Sequence, residues 1–281
     1  MIRTMAAMGT VVSVEVAASE SVVERAFAWF REVEAVCSRF DADSELRRLP
    51  TGLATPASPL LFEAVRFALK LAQETDGAFD PTLGSRMAAR GYDRHYVTRA
   101  RVEAPAVSDA SFRDVELDAD RRTILLKRPL LLDLGAVAKG LAVDAAAQEL
   151  KPCGNFCIDA GGDIYFGGCN PRGEPWTVGI RHPRQPGRIL DRIAVTDGAV
   201  CTSGDYERPG HILDPRDEAA APTVASATVV APNAMLADAL ATAAFVLGPL
   251  QGIALLERMG VQGLIVTPAL ELHRTQGFGL A

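Results

Sequence analysis

The chain alternates between short segments with a two-residue period and longer segments with a helical period. Residues 10–17 alternate apolar and polar side chains, which predicts a strand. Apolar side chains recur along one helical stripe over residues 22–37, with Ser21 and Glu24 as a candidate capping box. A second helix is predicted over about 59–75, capped by Ser58 and ended by Gly77.

The rest of the chain is predicted to be rich in short strands. Residues 113–128 indicate a hairpin, an apolar strand LLLDL precedes residues 133–140, and a helix then runs to about residue 151. Further helices are predicted over 234–247 and 249–258. The predicted short strands are 155–160, 163–167, 176–181, 189–195, 199–202, 224–230, 262–267 and 270–274. Because strands and helices do not alternate strictly, the pattern favours an α+β fold over a doubly wound one.

Composition is typical of an ordinary soluble globular protein. The 281 residues are 48% hydrophobic and 23% charged, with a net charge of −6 and no polybasic run, which argues against nucleic-acid binding. The five cysteines form no CxxC pair, so inert roles are favoured over a disulfide framework or a zinc site. No apolar segment reaches the roughly 18 residues of a membrane span, and no signal peptide is visible. We expect a cytoplasmic protein without a transmembrane segment, or a periplasmic one if a leader is missing.

Asp238 and Thr242 are the strongest candidate metal ligands. They lie four residues apart in a predicted helix, so both side chains share one face. A carboxylate and a hydroxyl are hard oxygen ligands that suit Mg²⁺. The alternative is that both side chains bond to their own helix. The neighbouring side chains are almost all apolar, and a metal would explain a carboxylate in such surroundings.

The stretch DLGAVAKG at 133–140 is a candidate phosphate site. A glycine-containing turn into a helix exposes backbone N–H groups, and Lys139 would add a positive charge. The spacing is not that of a Walker A loop, and a solvated lysine beside a turn is the alternative. Asp144, one turn later, could pair with Lys139 or contact the ligand.

His211 is the best-placed candidate general base, because Asp214 and Pro215 follow it in a predicted loop. A loop histidine bonded to backbone is the alternative. Asp163 ends the stretch GGD at 161–163. The two glycines would let a ligand approach the backbone closely, with the Asp163 carboxylate beside it. The alternative is that the stretch is only a tight turn between strands. The loops 38–46 and 77–82 place an aromatic residue beside acids and could flank a flat ring, or could be capped turns.

Taken in order, these stretches and several others resemble the ApbE family of flavin transferases. The matching stretches are MGT (8–10), SRFDADSEL (38–46), GAFDPT (77–82), DLGAVAKG (133–140), AVD (142–144), GGDI (161–164), TSGDYER (202–208), HILDP (211–215) and ADALAT (237–242). The resemblance implies that Asp238, Thr242 and the backbone carbonyl of Ala136 hold the metal, and that His211 and Asp238 are catalytic. It further implies an FAD site formed by Met8, Phe79, Asp80, Lys139, Asp144, Asp163, Ser203 and His211.

The resemblance also implies the activity, which is that of a Mg²⁺-dependent FAD:protein FMN transferase. Such an enzyme cleaves the FAD pyrophosphate, attaches FMN by a phosphoester to a threonine of an acceptor protein and releases AMP. The acceptor is expected to be a subunit of a redox complex. The implied fold is α+β and related to the T-fold, with two lobes in one domain over residues 1–281.

Two other functions fit the same residues. They are a FAD pyrophosphatase, which uses water in place of threonine, and a FAD-binding protein without catalysis. One departure from the family pattern is Asp217-Glu218, where a Thr-Gly pair is usual.

Overall fold

The computed structural model describes residues 1–107, 109–206, 212–216 and 223–279. The chain forms two compact units. The first contains residues 1–30, 139–213 and 219–281, and the second contains residues 31–138 and 214–218. Both are mixtures of helices and antiparallel strands, which confirms the predicted α+β class.

The helices and strands of the described residues follow the predicted order closely. The helices are α1 (Glu20–Cys37), α2 (Pro59–Glu74), α3 (Gly84–Ala89), α4 (Gly135–Leu150) and α5 (Ala234–Arg258). The strands are β1 (Ile2–Ala7), β2 (Thr10–Val16), β3 (Thr55–Pro56), β4 (Val115–Asp118), β5 (Thr123–Leu126), β6 (Phe156–Ala160), β7 (Ile164–Gly167), β8 (Trp176–Arg181), β9 (Ile189–Val195), β10 (Gly198–Gly204), β11 (Ser226–Ala231), β12 (Gln262–Val266) and β13 (Leu272–Arg274).

The first unit is built on an eight-stranded antiparallel sheet in the order β1-β2-β6-β7-β10-β11-β12-β13. Helix α5 lies against the neighbouring strands β10, β11 and β12. Because the helix covers the sheet, the strands beneath it are buried over most of their length. Strands β8 and β9 form a separate two-stranded ribbon in the same unit.

Helix α5 explains why the sequence around the candidate metal ligands is so apolar. Asn233 caps its N-terminus by accepting a hydrogen bond from the Leu236 backbone N–H. Gly248, with φ of 81°, interrupts it, so the two predicted helices 234–247 and 249–258 are confirmed as two segments. The 25-residue helix is long and apolar enough to cross a membrane, which corrects the expectation that no segment would be. More than half of its most apolar window is buried, as in a core helix.

The second unit contains α2, α3 and a three-stranded sheet in the order β3-β5-β4. Ser58 caps α2 by accepting from the Leu61 N–H, and Gly77 ends the helix with φ of 78° and a bond to the Ala72 carbonyl, both as predicted. The predicted hairpin over 113–128 is confirmed as β4 and β5.

Two local predictions are wrong, and one strand is missing from the predictions. Helix α1 begins at Glu20 and its first N–H groups bond to the Ser19 carbonyl, so Ser21 is inside the helix and is not a capping residue. The LLLDL stretch makes only a single bridge, at Leu131, because its leucines are buried by side-chain packing rather than by sheet pairing. Strand β1 was not predicted, since its sequence IRTMAA has no clear alternation.

Candidate active site

The start of α5 meets α4 at Gly140, and this contact assembles the candidate site within the first unit. A Cβ atom at Gly140 would lie 2.5 Å from the Ala234 carbonyl oxygen and 2.5 Å from the Met235 backbone. No side chain fits in that space, so only glycine allows the two helices to approach so closely.

Asp144, one turn after Gly140, caps the N-terminus of α5. Its Oδ1 accepts from the Ala234 N–H at 2.7 Å and its Oδ2 from the Met235 N–H at 2.9 Å. Burial raises the pKa of Asp144 to about 6, while the two backbone bonds oppose that shift. The structure thus assigns Asp144 to the start of α5 rather than to a pair with Lys139. Its predicted contact with a ligand stays a prediction.

Lys139 lies between two buried carboxylates. Its ammonium forms an ion pair with Asp163, and its Nζ is 3.6 Å from Asp238 Oδ2. Burial lowers the pKa of Lys139, but the attraction of Asp163 and Asp238 and the hydrogen bond to Asp163 outweigh it, so the net shift is upward. The lysine is therefore a fixed positive charge in this cluster.

Asp238 is held incompletely by its surroundings. The Gly140 backbone N–H donates to its carboxylate. Its Oδ2 is buried, and among the residues that the structure describes no donor lies within hydrogen-bonding distance of it. Burial raises the pKa of Asp238, and repulsion from Asp163 adds to that shift. Native proteins rarely leave a buried carboxylate oxygen without a hydrogen bond, and the Lys139 ammonium at 3.6 Å is too distant to supply one, so this atom is suited to bind a ligand.

Thr242 lies one turn after Asp238 on α5, as the sequence predicts. Its Oγ1 is 3.1 Å from Ser203 Oγ on β10, so a hydroxyl pair stands beside the carboxylate cluster. Ser203 is buried and Thr242 is half-buried. Ser203, which the sequence analysis selected from the TSGDYER stretch, therefore lies in contact with α5.

Cys201 is a member of this cluster that sequence reasoning missed. Its thiol donates to the Ala234 carbonyl at 3.6 Å and also bonds to Asp163. Burial raises the pKa of Cys201 well above its usual value, and the two aspartates add to the shift. The available signal was its position two residues before Ser203, on the same face of a strand.

The GGD stretch forms the turn between β6 and β7, with Gly161 and Gly162 both at positive φ. A Cβ at Gly161 would meet Thr10 Oγ1 at 2.2 Å, so the turn packs against the end of the β1–β2 hairpin. Met8 occupies the tip of that hairpin with φ of 51°, an uncommon conformation for a residue other than glycine. Met8 and Asp163 are therefore both placed by tight turns in the first unit.

Phe79 and Asp80 lie in the second unit and have local partners. Phe79 is buried, and the Asp80 carboxylate accepts from the Thr82 N–H and hydroxyl and from the Phe112 N–H, at 2.7 to 3.0 Å. Ala136 is half-buried in the first turn of α4. The FAD contacts of Phe79 and Asp80 and the metal contact of Ala136 stay predictions.

His211 and the Asp217-Glu218 departure lie outside the described residues. The described segments beside them contain two arginine–aspartate pairs. Arg184 makes two bonds to Asp205, at 2.7 and 2.8 Å, and Arg216 does the same with Asp214, at 2.9 and 2.8 Å. The role of His211 as a base stays a prediction.

Within the described ranges, no group of three or more His, Cys, Asp or Glu side chains could hold a metal. The ligand set implied by the resemblance contains only one such side chain, together with a hydroxyl and a backbone carbonyl. A site of that kind relies on water and substrate oxygens to complete the coordination of Mg²⁺.

Comparison with known proteins decides the family. The ApbE family model matches residues 8–265, which is most of the chain. This chain belongs to the ApbE family. Two proteins named FAD:protein FMN transferase are similar to it over most of their length. The protein from Treponema pallidum is 32% identical, covering 91% of this chain and 79% of the relative, and that from Haemophilus influenzae is 30% identical, covering 83% and 74%.

Solved structures of ApbE proteins agree with this assignment. The ApbE protein from Thermotoga maritima aligns with a TM-score of 0.88 at 29% identity, over 100% of this chain and 98% of that one. The flavin transferase ApbE from Vibrio cholerae aligns with a TM-score of 0.85 at 26% identity, over 99% and 97%. The chain is thus a transferase enzyme with the ApbE fold.

Proposed function

We propose that this ApbE family member is a Mg²⁺-dependent FAD:protein FMN transferase. It cleaves the pyrophosphate of FAD, joins FMN through a phosphoester to a threonine of an acceptor protein and releases AMP. The names of its relatives support the transfer of FMN from FAD to a protein. The single observation in this chain that supports the metal dependence is the buried Oδ2 of Asp238, which accepts no hydrogen bond from the described residues.

The charges around Asp238 fit a divalent cation. Asp163 and Asp238 contribute two buried carboxylates, whereas Lys139 contributes one ammonium, so the ionised cluster carries one excess negative charge. Asp238 and Thr242 supply hard oxygen ligands for Mg²⁺. The Ala136 carbonyl is the third protein ligand that the resemblance implies. When bound, the metal supplies charge neutralisation at the phosphates of the substrate.

The remaining chemistry is assigned to the side chains of the enzyme. His211 accepts the proton of the acceptor threonine, whose hydroxyl oxygen forms a bond to the FMN-side phosphorus of FAD. The bond between that phosphorus and the bridging oxygen breaks, and AMP leaves with the electron pair. FAD contacts are assigned to Met8, Phe79, Asp80 and Ser203.

The test of this proposal is the release of AMP from FAD by the purified protein in the presence of an acceptor protein, measured by chromatography against Mg²⁺ concentration. We expect Mg²⁺-dependent release by the wild type and essentially none by Asp238→Asn. The matched control is Asp191→Asn, a half-buried aspartate paired with Arg274, which should behave as the wild type. Circular dichroism should show that Asp238→Asn is folded, because a side chain that serves the metal adds little to stability.

Equal Mg²⁺-dependent release by the wild type and Asp238→Asn would contradict the metal assignment. Unfolding of Asp238→Asn would instead assign Asp238 a structural role. Release of AMP and free FMN in the presence of an acceptor, without covalent flavin, would indicate the FAD pyrophosphatase alternative.

A further inference from the structure

We propose that Lys139 is a built-in competitor of the divalent cation, whose ammonium occupies the Asp163–Asp238 carboxylate pair in the metal-free enzyme and weakens metal binding there. The resemblance to the family suggests a phosphate contact for this lysine, and the geometry points to a different role. The inference rests on the metal site of the proposed function.

The contacts of Lys139 support this role. Its ammonium is paired with Asp163 and lies 3.6 Å from Oδ2 of Asp238, the same oxygen that has no hydrogen-bond partner among the described residues. Both carboxylates are buried, and the lysine side chain is 29% exposed. The positive charge therefore stands next to the atom that the cation would bind.

The lysine is also held in place by its own helix. It precedes Gly140, whose lack of a side chain lets α4 contact the start of α5, and the Gly140 N–H donates to Asp238. A rigid ammonium at this position stabilises two carboxylates that would otherwise repel one another in a buried site. It must also repel any divalent cation that binds to Asp238, because like charges at short range in a protein interior interact strongly.

Charge counting gives a distinct expectation for each variant. The ionised cluster of Asp163, Asp238 and Lys139 carries −1 in the wild type. Lys139→Met changes it to −2, Asp163→Asn changes it to 0, and the double variant returns it to −1. Lys139→Arg keeps the wild-type charge. If Lys139 competes with the cation, the affinity for the metal should increase as the charge of the cluster becomes more negative.

The experiment measures Mn²⁺ binding to the metal-free protein without FAD, by electron paramagnetic resonance of the free ion. Lys139→Met should bind Mn²⁺ tighter than the wild type, on the order of tenfold or more. Asp163→Asn should bind it weaker by a similar factor, and the double variant should lie within about threefold of the wild type. The conservative variant Lys139→Arg should also stay near the wild type.

The melting temperature of the metal-free protein provides a second measurement. Lys139→Met should melt at least roughly 5 °C lower, because two buried carboxylates lose their shared counter-ion. Mn²⁺ should raise the melting temperature of this variant more than that of the wild type, because it binds more tightly. If Lys139→Met does not fold, Asp163→Asn still tests the proposal, since it must bind Mn²⁺ more weakly.

The outcomes separate this inference from the function on which it rests. If the wild type binds Mn²⁺ but Lys139→Met binds it equally or more weakly, the competitor role is overturned and the metal site stands. An Asp163→Asn affinity equal to that of the wild type also overturns the role. If the wild type binds no Mn²⁺, the proposed metal site itself fails.

Discussion

The buried carboxylate of Asp238 is central to the proposed metal site. Asp238 lies in an apolar helix, where an ionised carboxylate is costly unless hydrogen bonds and opposite charges compensate for it. The fold supplies part of that compensation through the Gly140 N–H and Lys139, and leaves Oδ2 without a hydrogen bond from the described residues. A ligand cation would complete the compensation.

The proposed base gives a prediction at the level of one residue. His211→Asn should slow FMN transfer by on the order of 10²–10⁴-fold, the range for a positioned acid–base group. FAD affinity should hardly change, because the role is kinetic. The wild-type rate should rise with pH as the imidazole becomes neutral, and this rise should be absent in the variant. The measurement is single-turnover transfer against pH, with FAD affinity determined separately.

A His211→Asn variant that binds FAD normally and transfers FMN at nearly the wild-type rate would assign the base to another group. Asp163 would be the next candidate, and its variants would then be compared in the same assay.

The sequence predicts some of the site residues and misses how they pair. The four-residue spacing of Asp238 and Thr242 places them on one helix face, because helical geometry is local. The pairing of Lys139 with Asp163 joins residues 24 positions apart, and that of Ser203 with Thr242 joins residues 39 apart. Such contacts depend on the order of strands and helices in space, which side-chain spacing does not encode.

The cap between α4 and α5 makes a pH-dependent prediction at the level of elements. The folded pKa of Asp144 is raised by burial to about 6, above the roughly 3.9 of an unfolded chain. Its contribution to stability is therefore full below about pH 4 and is lost as pH rises through about 6. The free energy of unfolding of the wild type, relative to Asp144→Asn, should fall by on the order of 2 kcal/mol across this range.

This difference is measured by urea unfolding of both proteins from pH 4 to pH 7. Asp43→Asn removes a carboxylate that is 91% exposed and serves as the control, whose difference from the wild type should stay flat. A flat difference for Asp144→Asn as well would show that burial does not raise the pKa of Asp144.

A second element-level prediction concerns Arg39, which is 4% exposed in the second unit. Its Nε is 2.7 Å from Asp133 Oδ2, and Asp133 Oδ1 accepts from the Gly135 N–H at the start of α4. Arg39→Met should lower the free energy of unfolding by about 2–4 kcal/mol, because it leaves a partly buried carboxylate without its partner. Chemical denaturation provides the measurement.

Arg48→Met is the matched control for this change. Arg48 pairs with Asp43 at 3.6 Å where both side chains are exposed, so its loss should cost less than about 0.5 kcal/mol. Equal losses for the two variants would mean that the buried pair contributes no more than the exposed one.

On the scale of the whole molecule, the sequence predicts most elements but not their arrangement. Period and capping residues locate α2, the β4–β5 hairpin and the two segments of α5, because these signals are local. The order β1-β2-β6-β7-β10-β11-β12-β13 brings together strands far apart in the chain. Alternation within a strand identifies its buried face, but it does not determine which other strand pairs with it in the sheet.

The central claim is that this fold transfers FMN from FAD to a threonine of another protein with Mg²⁺. The most direct measurement incubates the enzyme with FAD, Mg²⁺ and a candidate redox-complex subunit, and then quantifies AMP and flavin-bearing threonine peptides by mass spectrometry. The account predicts equal amounts of AMP and of covalent FMN-threonine, both absent without Mg²⁺ and both lost in Asp238→Asn. AMP with free FMN and no modified threonine, or FAD recovered intact, would contradict it.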